Sequence, residues 1–165
     1  MTTYDETHAK QTADSLAAVK RMEDALGANE MDMTPYFTES FTWRGNQGSG
    51  TKTGIAEFQR NWQFPLRAAF TDRDYVTEHF MADGEWASCF GHIVGTHSGT
   101  FMGIPATGKR VKIPYMDFWR IEDGRIADNP VSVDLAAVMM QLGVDVFNGQ
   151  GWENFDNGTL TPPKP

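Results

Sequence analysis

The sequence is poor in cysteine, in positive charge and in long apolar runs, and each shortage excludes a class of protein. Cys89 is the single cysteine among 165 residues, so no internal disulfide can form and a reducing compartment is expected. Lys and Arg number 14 against 22 Asp and Glu, and the formal net charge of -8 repels nucleic acids and anionic membrane surfaces. The sequence has neither an apolar run of membrane-spanning length nor a signal-peptide core near Met1. We therefore expect a cytoplasmic protein that binds neither nucleic acids nor membranes.

The first part of the chain has the spacing of helices. Hydrophobic residues make up 40% of the sequence and aromatic residues 12%, which is enough for a buried core. Apolar side chains recur every three or four residues over 5–26 and predict an amphipathic helix. A short helix at 33–37 and a strand at 41–43 follow, and another helix begins after Gly54, which Pro65 is expected to end or bend.

The second part changes to the spacing of strands. Runs of strand-forming residues at 75–81 and 86–96 are joined by Asp83-Gly84, and runs at 110–121 and 125–133 by Asp123-Gly124. Since glycine tolerates the positive φ of a tight turn, these dipeptides predict two antiparallel hairpins. The proline at position 130 lacks an amide hydrogen and predicts that the last strand ends or bulges early.

A final helix and a tail complete the chain. Asp134 precedes the helix-forming run 135–142, and Gly143 follows it, as expected for a capped helix. Helices, then hairpins, then a last helix indicate an α+β fold. We predict one domain at 1–143 and a loosely ordered tail at 144–165, which is rich in Gly, Asn and Pro.

Two motifs in the strand-rich part carry a family resemblance. The stretch Gly95–Lys109, GTHSGTFMGIPATGK, resembles the SnoaL-like polyketide cyclases (ester cyclases) of the nuclear transport factor two-like superfamily. The resemblance continues through DFWRIEDGRI at 117–126 and through Asp134 to Gln141-Leu142-Gly143. It covers roughly residues 10–143.

The resemblance implies a fold, an assembly and a class of reaction. The fold is a cone, in which a curved antiparallel sheet and N-terminal helices enclose a hydrophobic pocket, and two copies form a homodimer through the sheet. The reaction is an intramolecular aldol ring closure by a pocket Asp acting as acid and base, without metal or cofactor, and Asp134 is the position that matches this residue. Relatives in the superfamily isomerise or dehydrate other compounds, and some have no activity. A non-catalytic module that binds a small molecule is therefore the alternative.

Two aspartates are candidates for the acid and base. Asp134 has a structural alternative, because an Asp directly before a helix also caps it. Asp117 shares a strand face with Val111, Ile113, Tyr115 and Trp119, where an unpaired carboxylate is costly. It is therefore either a second pocket acid or a buried Asp that is hydrogen-bonded to its neighbours.

Two histidines and a set of aromatic residues are candidates for substrate contact. His92 and His97 lie five residues apart on one predicted strand and so point to opposite faces. We predict that His92, in mid-strand, reaches the pocket and assists catalysis, and that His97 contacts the substrate or bonds to the adjacent turn. No set of residues has the spacing of a metal site. Flat apolar walls suit an aromatic or polyketide-like ligand. The aromatic candidates are Phe41, Trp43, Trp62, Tyr75, Phe90, Phe101 and Trp119.

Overall fold

The structure is a computed structural model that describes residues 3–164, and within them a long helix is followed by a curved sheet. The first helix, α1, is Thr3–Gly27, and a 3-10 turn at Thr34–Tyr36 leads into the sheet. The strands are β1 (Phe37–Arg44), β2 (Thr51–Thr53), β3 (Phe70–Asp83), β4 (Trp86–His97), β5 (Arg110–Glu122) and β6 (Arg125–Val133). The remaining helices are α2 (Ile55–Phe58), α3 (Phe64–Ala69), α4 (Leu135–Gln141) and α5 (Glu153–Asp156).

The described strands form a single open sheet in the order β2-β1-β6-β5-β4-β3. β1 and β6 pair in parallel and the other neighbours are antiparallel. The two predicted hairpins are β3–β4 and β5–β6, and each turns at its Asp-Gly pair. Helix α1 packs across β3, β4 and β5 on the inner face of the sheet. The predicted α+β cone, with helices covering a curved sheet, is confirmed.

Two predictions that rest on proline need correction. The helix after Gly54 does not end at Pro65: α2 passes through a π-helical turn at Gln59–Gln63 into α3. Pro65 is the second residue of α3 and lies two residues after the end of the π-helical turn, so the hydrogen-bond pattern of the helix changes just before the residue that lacks an amide hydrogen. Strand β6 continues past Pro130 to Val133, because β5 and β1 hold it from both sides. The irregularity in its pairing with β5 lies instead between Arg120 and Ile121.

The tail at 144–165 contributes little to the hydrophobic core. Trp152 is 75% exposed and contacts Phe155 within the tail, with ring centroids 5.6 Å apart. Most of the Trp152 ring therefore lies in solvent. The division into a domain at 1–143 and a tail stays a prediction. Within residues 3–164, no helix combines the length and the apolar character needed to cross a membrane.

A β-bulge interrupts the pairing of β3 with β4. The register shifts between Thr77 and His79, directly beside the pair that Thr77 forms with Gly91 of β4. A Cβ atom at Gly91 would clash with the carbonyl oxygen of Val76, which is backbone and cannot rotate away. The absence of a side chain at Gly91 therefore permits the close approach of β3, and a bulge of this kind adds to the curvature of the sheet.

We expect Gly91→Ala to lower the free energy of unfolding by about 1–3 kcal/mol, the range of overpacked interiors. Urea unfolding followed by circular dichroism measures the change. Gly27→Ala is the matched control, because a Cβ there meets no atom within 4 Å. Equal stability of the Gly91→Ala protein and the wild type would contradict the close approach of β3.

Candidate ligand-binding and active site

A cavity lies between the inner face of the sheet and the helices that cover it. It offers about 100 Å³ to water-sized molecules, and most of its wall is apolar. Three strands of the sheet, helix α1 and the segment from α2 to α3 supply most of the wall. The lining residues are Met22, Glu23, Leu26, Phe37, Trp43, Phe58, Trp62, Gln63, Leu66, Arg67, Tyr75, Ile93, Ile113, Tyr115, Asp117, Trp119, Asn129, Val131 and Val133.

Asp117 places a carboxylate in this apolar wall. Its inward position follows from the alternation of β5, whose buried residues include Tyr115 and Trp119 on either side. Asn129 of β6 donates from Nδ2 to Asp117 Oδ1 over 2.9 Å and to the carbonyl oxygen of Phe118 over 2.9 Å. Because a carbonyl can only accept, the second bond fixes which end of the Asn129 amide faces Asp117. Asn129 therefore acts as a fixed donor to the carboxyl group.

The surroundings of Asp117 bring its proton equilibrium into the neutral range. Desolvation by burial is the largest influence and, with the negative charge of Glu23 adding to it, raises the pKa of Asp117 from 3.8 to about 7. The hydrogen bond from Asn129 opposes this shift because it stabilises the ionised form. A carboxyl group with this pKa can both take and return a proton near pH 7, which is what acid/base catalysis requires.

A second carboxyl group reaches the same cavity from α1. Glu23 Oε2 accepts a hydrogen bond from the Thr77 hydroxyl over 3.1 Å, and the Cys89 sulfur lies 3.7 Å from Glu23 Oε1. The Tyr115 hydroxyl is 3.2 Å from Thr77 Oγ1, which completes a chain from β5 to α1. Burial raises the pKa of Glu23 and, more strongly, that of the Cys89 thiol, so Cys89 stays protonated and is a poor nucleophile.

Five of the predicted site residues line the cavity: Trp43, Trp62, Tyr75, Asp117 and Trp119. The rings of Trp43 and Trp62 pack together with centroids 4.7 Å apart and form a flat aromatic wall. The π-helical turn carries Trp62 and Gln63 to this wall. These five residues therefore lie at the pocket, as the sequence analysis predicts.

Three other predicted residues are buried beside the cavity without lining it. Phe41 is fully buried, and its ring lies 4.4 Å from that of Phe37. Phe101 packs on Phe70 with centroids 5.0 Å apart. His97 accepts at Nδ1 the backbone N–H of Thr107 over 3.3 Å and is also fully buried. These side chains belong to the core, and the prediction that they contact a cavity ligand is wrong.

His92 and Phe90 lie on the opposite face of the sheet from the cavity. The inner face of β4 carries mostly small residues, such as Cys89 and Gly91, and the outer face carries the larger ones. His92 Nδ1 lies 3.7 Å from Glu78, and Phe90 packs against His79 with centroids 5.6 Å apart. The prediction that His92 reaches the pocket is wrong, because His92 alternates with the inward-facing residues Gly91 and Ile93 and therefore faces outward.

Asp134 also lies outside the cavity. Its side chain is exposed, and Oδ1 accepts the backbone N–H of Ala137 over 2.8 Å, which caps α4. It borders a shallow depression on the outer side of the sheet together with His92. The prediction of Asp134 as the cavity acid is therefore wrong, because the cap holds the carboxylate in solvent, outside the cavity.

A sequence profile decides the family of this chain. The profile of the SnoaL-like polyketide cyclases matches residues 16–142, which include the second half of α1, the whole sheet and α4. The chain belongs to this family. The resemblance seen in the motifs at 95–109 and 117–126 is thereby confirmed.

Two curated relatives of this chain are named as methyl ester cyclases. The chain is 31% identical over 88 residues to the aklanonic acid methyl ester cyclase DnrD of Streptomyces peucetius, covering 53% of this chain and 61% of DnrD. It is 28% identical over 106 residues to the nogalonic acid methyl ester cyclase of Streptomyces nogalater, covering 62% of this chain and 77% of that enzyme. The match thus spans about three fifths of the length of DnrD.

Solved structures share the fold of this SnoaL-like chain. A SnoaL-like protein from Jannaschia sp. CCS1 superposes with a TM-score of 0.73 at 21% identity, covering 82% of this chain and 94% of that one. IdmH from Streptomyces antibioticus gives a TM-score of 0.66 at 23% identity, covering 81% and 99%. A nuclear transport factor two-like protein from Burkholderia pseudomallei gives 0.65 at 16%, covering 78% and 97%. At these identities the likeness establishes the fold alone.

The sequence interpretation missed Glu23, Gln63, Arg67 and Asn129. Glu23 lies four residues after Val19 and three before Leu26, so it interrupts the apolar face of α1. Asn129 alternates with Val131 and Val133 on the inner face of β6 and is a polar interruption of the same kind as Asp117. Both signals were readable in the sequence. In contrast, the inward position of Gln63 and Arg67 depends on the π-helical turn, which no local pattern indicates.

The described residues contain no cluster of three or more His, Cys, Asp or Glu side chains arranged to hold a metal ion.

We expect the stability of the protein to depend on pH through Asp117. An acid whose pKa is higher in the folded than in the unfolded chain stabilises the fold at low pH, and this contribution is lost as the pH rises from 3.8 to about 7. Because asparagine does not titrate, the Asp117→Asn protein does not lose this stability as the pH rises. Its free energy of unfolding relative to the wild type should therefore rise by about 2 kcal/mol between pH 5 and pH 8.5.

Urea unfolding at the two pH values measures this difference. Asp134→Asn is the control, because Asp134 is an exposed helix cap and its substitution should change stability equally at both pH values. A difference between wild type and Asp117→Asn that does not change with pH would contradict the assignment of a raised pKa to Asp117.

Proposed function

We propose that this protein is a cyclase-like enzyme that closes a ring in a hydrophobic carbonyl compound by acid/base chemistry at Asp117, without metal or cofactor. The observation that carries the proposal is the Asp117 carboxyl group in the wall of an aromatic-lined cavity, where burial raises its pKa to about 7. Membership of the SnoaL-like family supports the same class of reaction. The acid/base role that the sequence suggested for Asp134 belongs in this proposal to Asp117.

The reaction is an intramolecular aldol addition in which Asp117 moves one proton. The Asp117 carboxylate takes a proton from a carbon next to a carbonyl, and an enolate forms. The enolate carbon attacks a second carbonyl of the same molecule, so that a carbon–carbon bond forms and the carbonyl π bond breaks. The resulting alkoxide takes the proton back from Asp117. Substrate and product have the same mass, and nothing is oxidised or reduced.

The walls of the cavity suit the apolar part of such a substrate. Trp43, Trp62 and Trp119 offer flat faces, and aromatic rings favour offset or edge contacts with other rings. Exclusion of water by these walls also strengthens the electrostatic interactions of the reacting groups. Asn129 holds the Asp117 carboxyl in place and limits how far its pKa rises.

A non-catalytic binding module is the second candidate function. The modest size of the cavity, about 100 Å³, and its mostly apolar wall favour a small apolar ligand that binds without reacting. Against it stands Asp117, since a binding protein has no need of a buried carboxyl group whose ionisation is costly. A binder is distinguished from an enzyme by ligand-induced thermal stabilisation without turnover.

The test of the proposed function uses the substrates named for the relatives. Purified protein is incubated with aklanonic acid methyl ester or nogalonic acid methyl ester, and chromatography with mass detection follows an isomer of unchanged mass. We expect turnover by the wild type, and a rate lower by about a hundredfold or more in Asp117→Asn, the range of lost acid/base catalysis. Asp134→Asn should retain the wild-type rate because that residue lies outside the cavity.

Two results would count against the enzyme. Turnover that survives in Asp117→Asn contradicts the assigned role of this residue. Thermal stabilisation of the wild type by both esters without any isomer formed would instead support the binding module.

We propose that two copies of the chain pair through the outer face of the sheet, as the family resemblance implies. In this face Met81 is 52%, Met116 61% and Phe118 51% exposed. Ser88 pairs with Met81 on one side and with Phe118 on the other, so these residues lie in one row across β3, β4 and β5. An apolar row of this kind on the convex side is a suitable dimer contact.

We expect sedimentation equilibrium to give twice the chain mass of 18.4 kDa for the wild type and the single chain mass for Phe118→Arg. A charge in the contact is costly to bury, so it separates the copies. Val146→Arg is the control, because Val146 is 44% exposed but lies outside the sheet. A wild type that sediments as a single chain would refute the dimer.

A further inference from the structure

Two nitrogen donors in the cavity wall have no hydrogen-bond partner among residues 3–164. They are Nε2 of Gln63 and Nε of Arg67, and both atoms are buried. Gln63 is 4% exposed, and both residues line the cavity. Gln63 ends the π-helical turn and Arg67 follows four residues later in α3, so the two side chains project from the same side of this helical segment.

The free end of the Gln63 amide follows from its neighbours. Gln59 Nε2 donates to the carbonyl oxygen of Met31 over 2.8 Å, and a carbonyl can only accept, so the NH₂ group of Gln59 must lie there. The same nitrogen donates to Gln63 over 3.0 Å. Gln63 therefore presents its oxygen to Gln59, and its own NH₂ group is the end that is left without a partner.

The guanidinium of Arg67 is held in place from its outer side. Its two terminal nitrogens donate to the carbonyl oxygen of Glu30 over 3.1 and 3.2 Å. These bonds fix the plane of the group and leave the Nε–H as the unused donor. Arginine stays charged at neutral pH, so this donor carries a share of a positive charge.

Two fixed and unused donors indicate a ligand with an oxygen acceptor. Buried polar groups in folded proteins are nearly always hydrogen-bonded, and such a pair is therefore unusual. Neither donor is required by the fold, because the bonds that hold Gln63 and Arg67 in position use other atoms. One neutral and one cationic donor suit an oxygen that gains negative charge during a reaction.

We propose that Gln63 and Arg67 form a donor pair that binds a carbonyl oxygen of the ligand, each giving one N–H, and that stabilises this oxygen when it becomes an enolate oxygen. The binding of a carbonyl oxygen by the donor pair does not require the protein to be an enzyme. The stabilisation of an enolate, in contrast, rests on the proposed function. The ligand class is accordingly an aromatic ketone or ester and not a hydrocarbon.

The test compares two small probes that differ in one group. Acetophenone carries a carbonyl, and α-methylstyrene replaces its oxygen by a CH₂ group of similar shape. Nuclear magnetic resonance titration gives the affinity of each probe for the wild type and for variants. We expect Gln63→Met and Arg67→Lys to weaken acetophenone binding by about fivefold or more, while the affinity for α-methylstyrene changes by less than about twofold.

Two control variants separate this role from a structural one. Gln59→Met removes the donor that orients the Gln63 amide but keeps the Gln63 NH₂ group itself, so it should weaken acetophenone binding by less than Gln63→Met does. Asp134→Asn should leave acetophenone binding unchanged, because Asp134 is an exposed helix cap that does not line the cavity. Unaltered α-methylstyrene binding in Gln63→Met and Arg67→Lys shows that the cavity has folded correctly.

The outcomes distinguish this proposal from the proposed function. If Gln63→Met and Arg67→Lys bind acetophenone as the wild type does, water or nothing occupies the donors and the donor pair is refuted. The same conclusion follows if Gln59→Met weakens acetophenone binding as much as Gln63→Met. If the variants behave as expected but neither methyl ester is converted by the wild type, the donor pair stands as a carbonyl-binding site and the cyclase proposal fails.

Discussion

The site depends on one packing constraint, the close approach of β3 to β4 above Gly91. The Val76 carbonyl occupies the space where any other residue at position 91 would carry its Cβ, and the pairing of β3 with β4 is irregular beside this place. A bulge of this kind adds to the curvature of the sheet, whose inner face carries the cavity. Thr77, next to the bulge, lies within hydrogen-bond distance of both Glu23 and Tyr115 and so connects the sheet to α1.

Inside the cavity, opposing influences set the chemistry of Asp117. Burial among aromatic residues and the nearby carboxyl of Glu23 disfavour the charged form, whereas Asn129 stabilises it. The resulting pKa of about 7 is the balance of these influences, and neither burial nor hydrogen bonding by itself would produce it. The cavity thus combines a group able to exchange a proton with apolar walls and, on the helical side, with the unused donors of Gln63 and Arg67.

Much of the architecture could be predicted from local patterns. The Asp-Gly turns identified both hairpins, the three- to four-residue spacing identified α1, and the motifs at 95–109 and 117–126 identified the family. A carboxylate on an otherwise apolar face of β5 correctly marked Asp117 as unusual. Each of these signals depends only on residues that are close in sequence, so it can be recognised without knowledge of the fold.

Local patterns therefore establish the order of elements, the family and which residues share a strand face. Which face is the inside depends on the tertiary structure. Alternation places His92 and His97 on opposite faces of β4, but the packing of α1 on the sheet makes the His92 face the outer one, and Asp134 is outside because it caps α4. Likewise, Glu23 and Asp117 lie 94 positions apart in the chain, and only the packing of α1 on the sheet brings them to one cavity. Alternation fixes the relation between neighbours, whereas curvature and helix packing depend on contacts between distant residues, which no local pattern encodes.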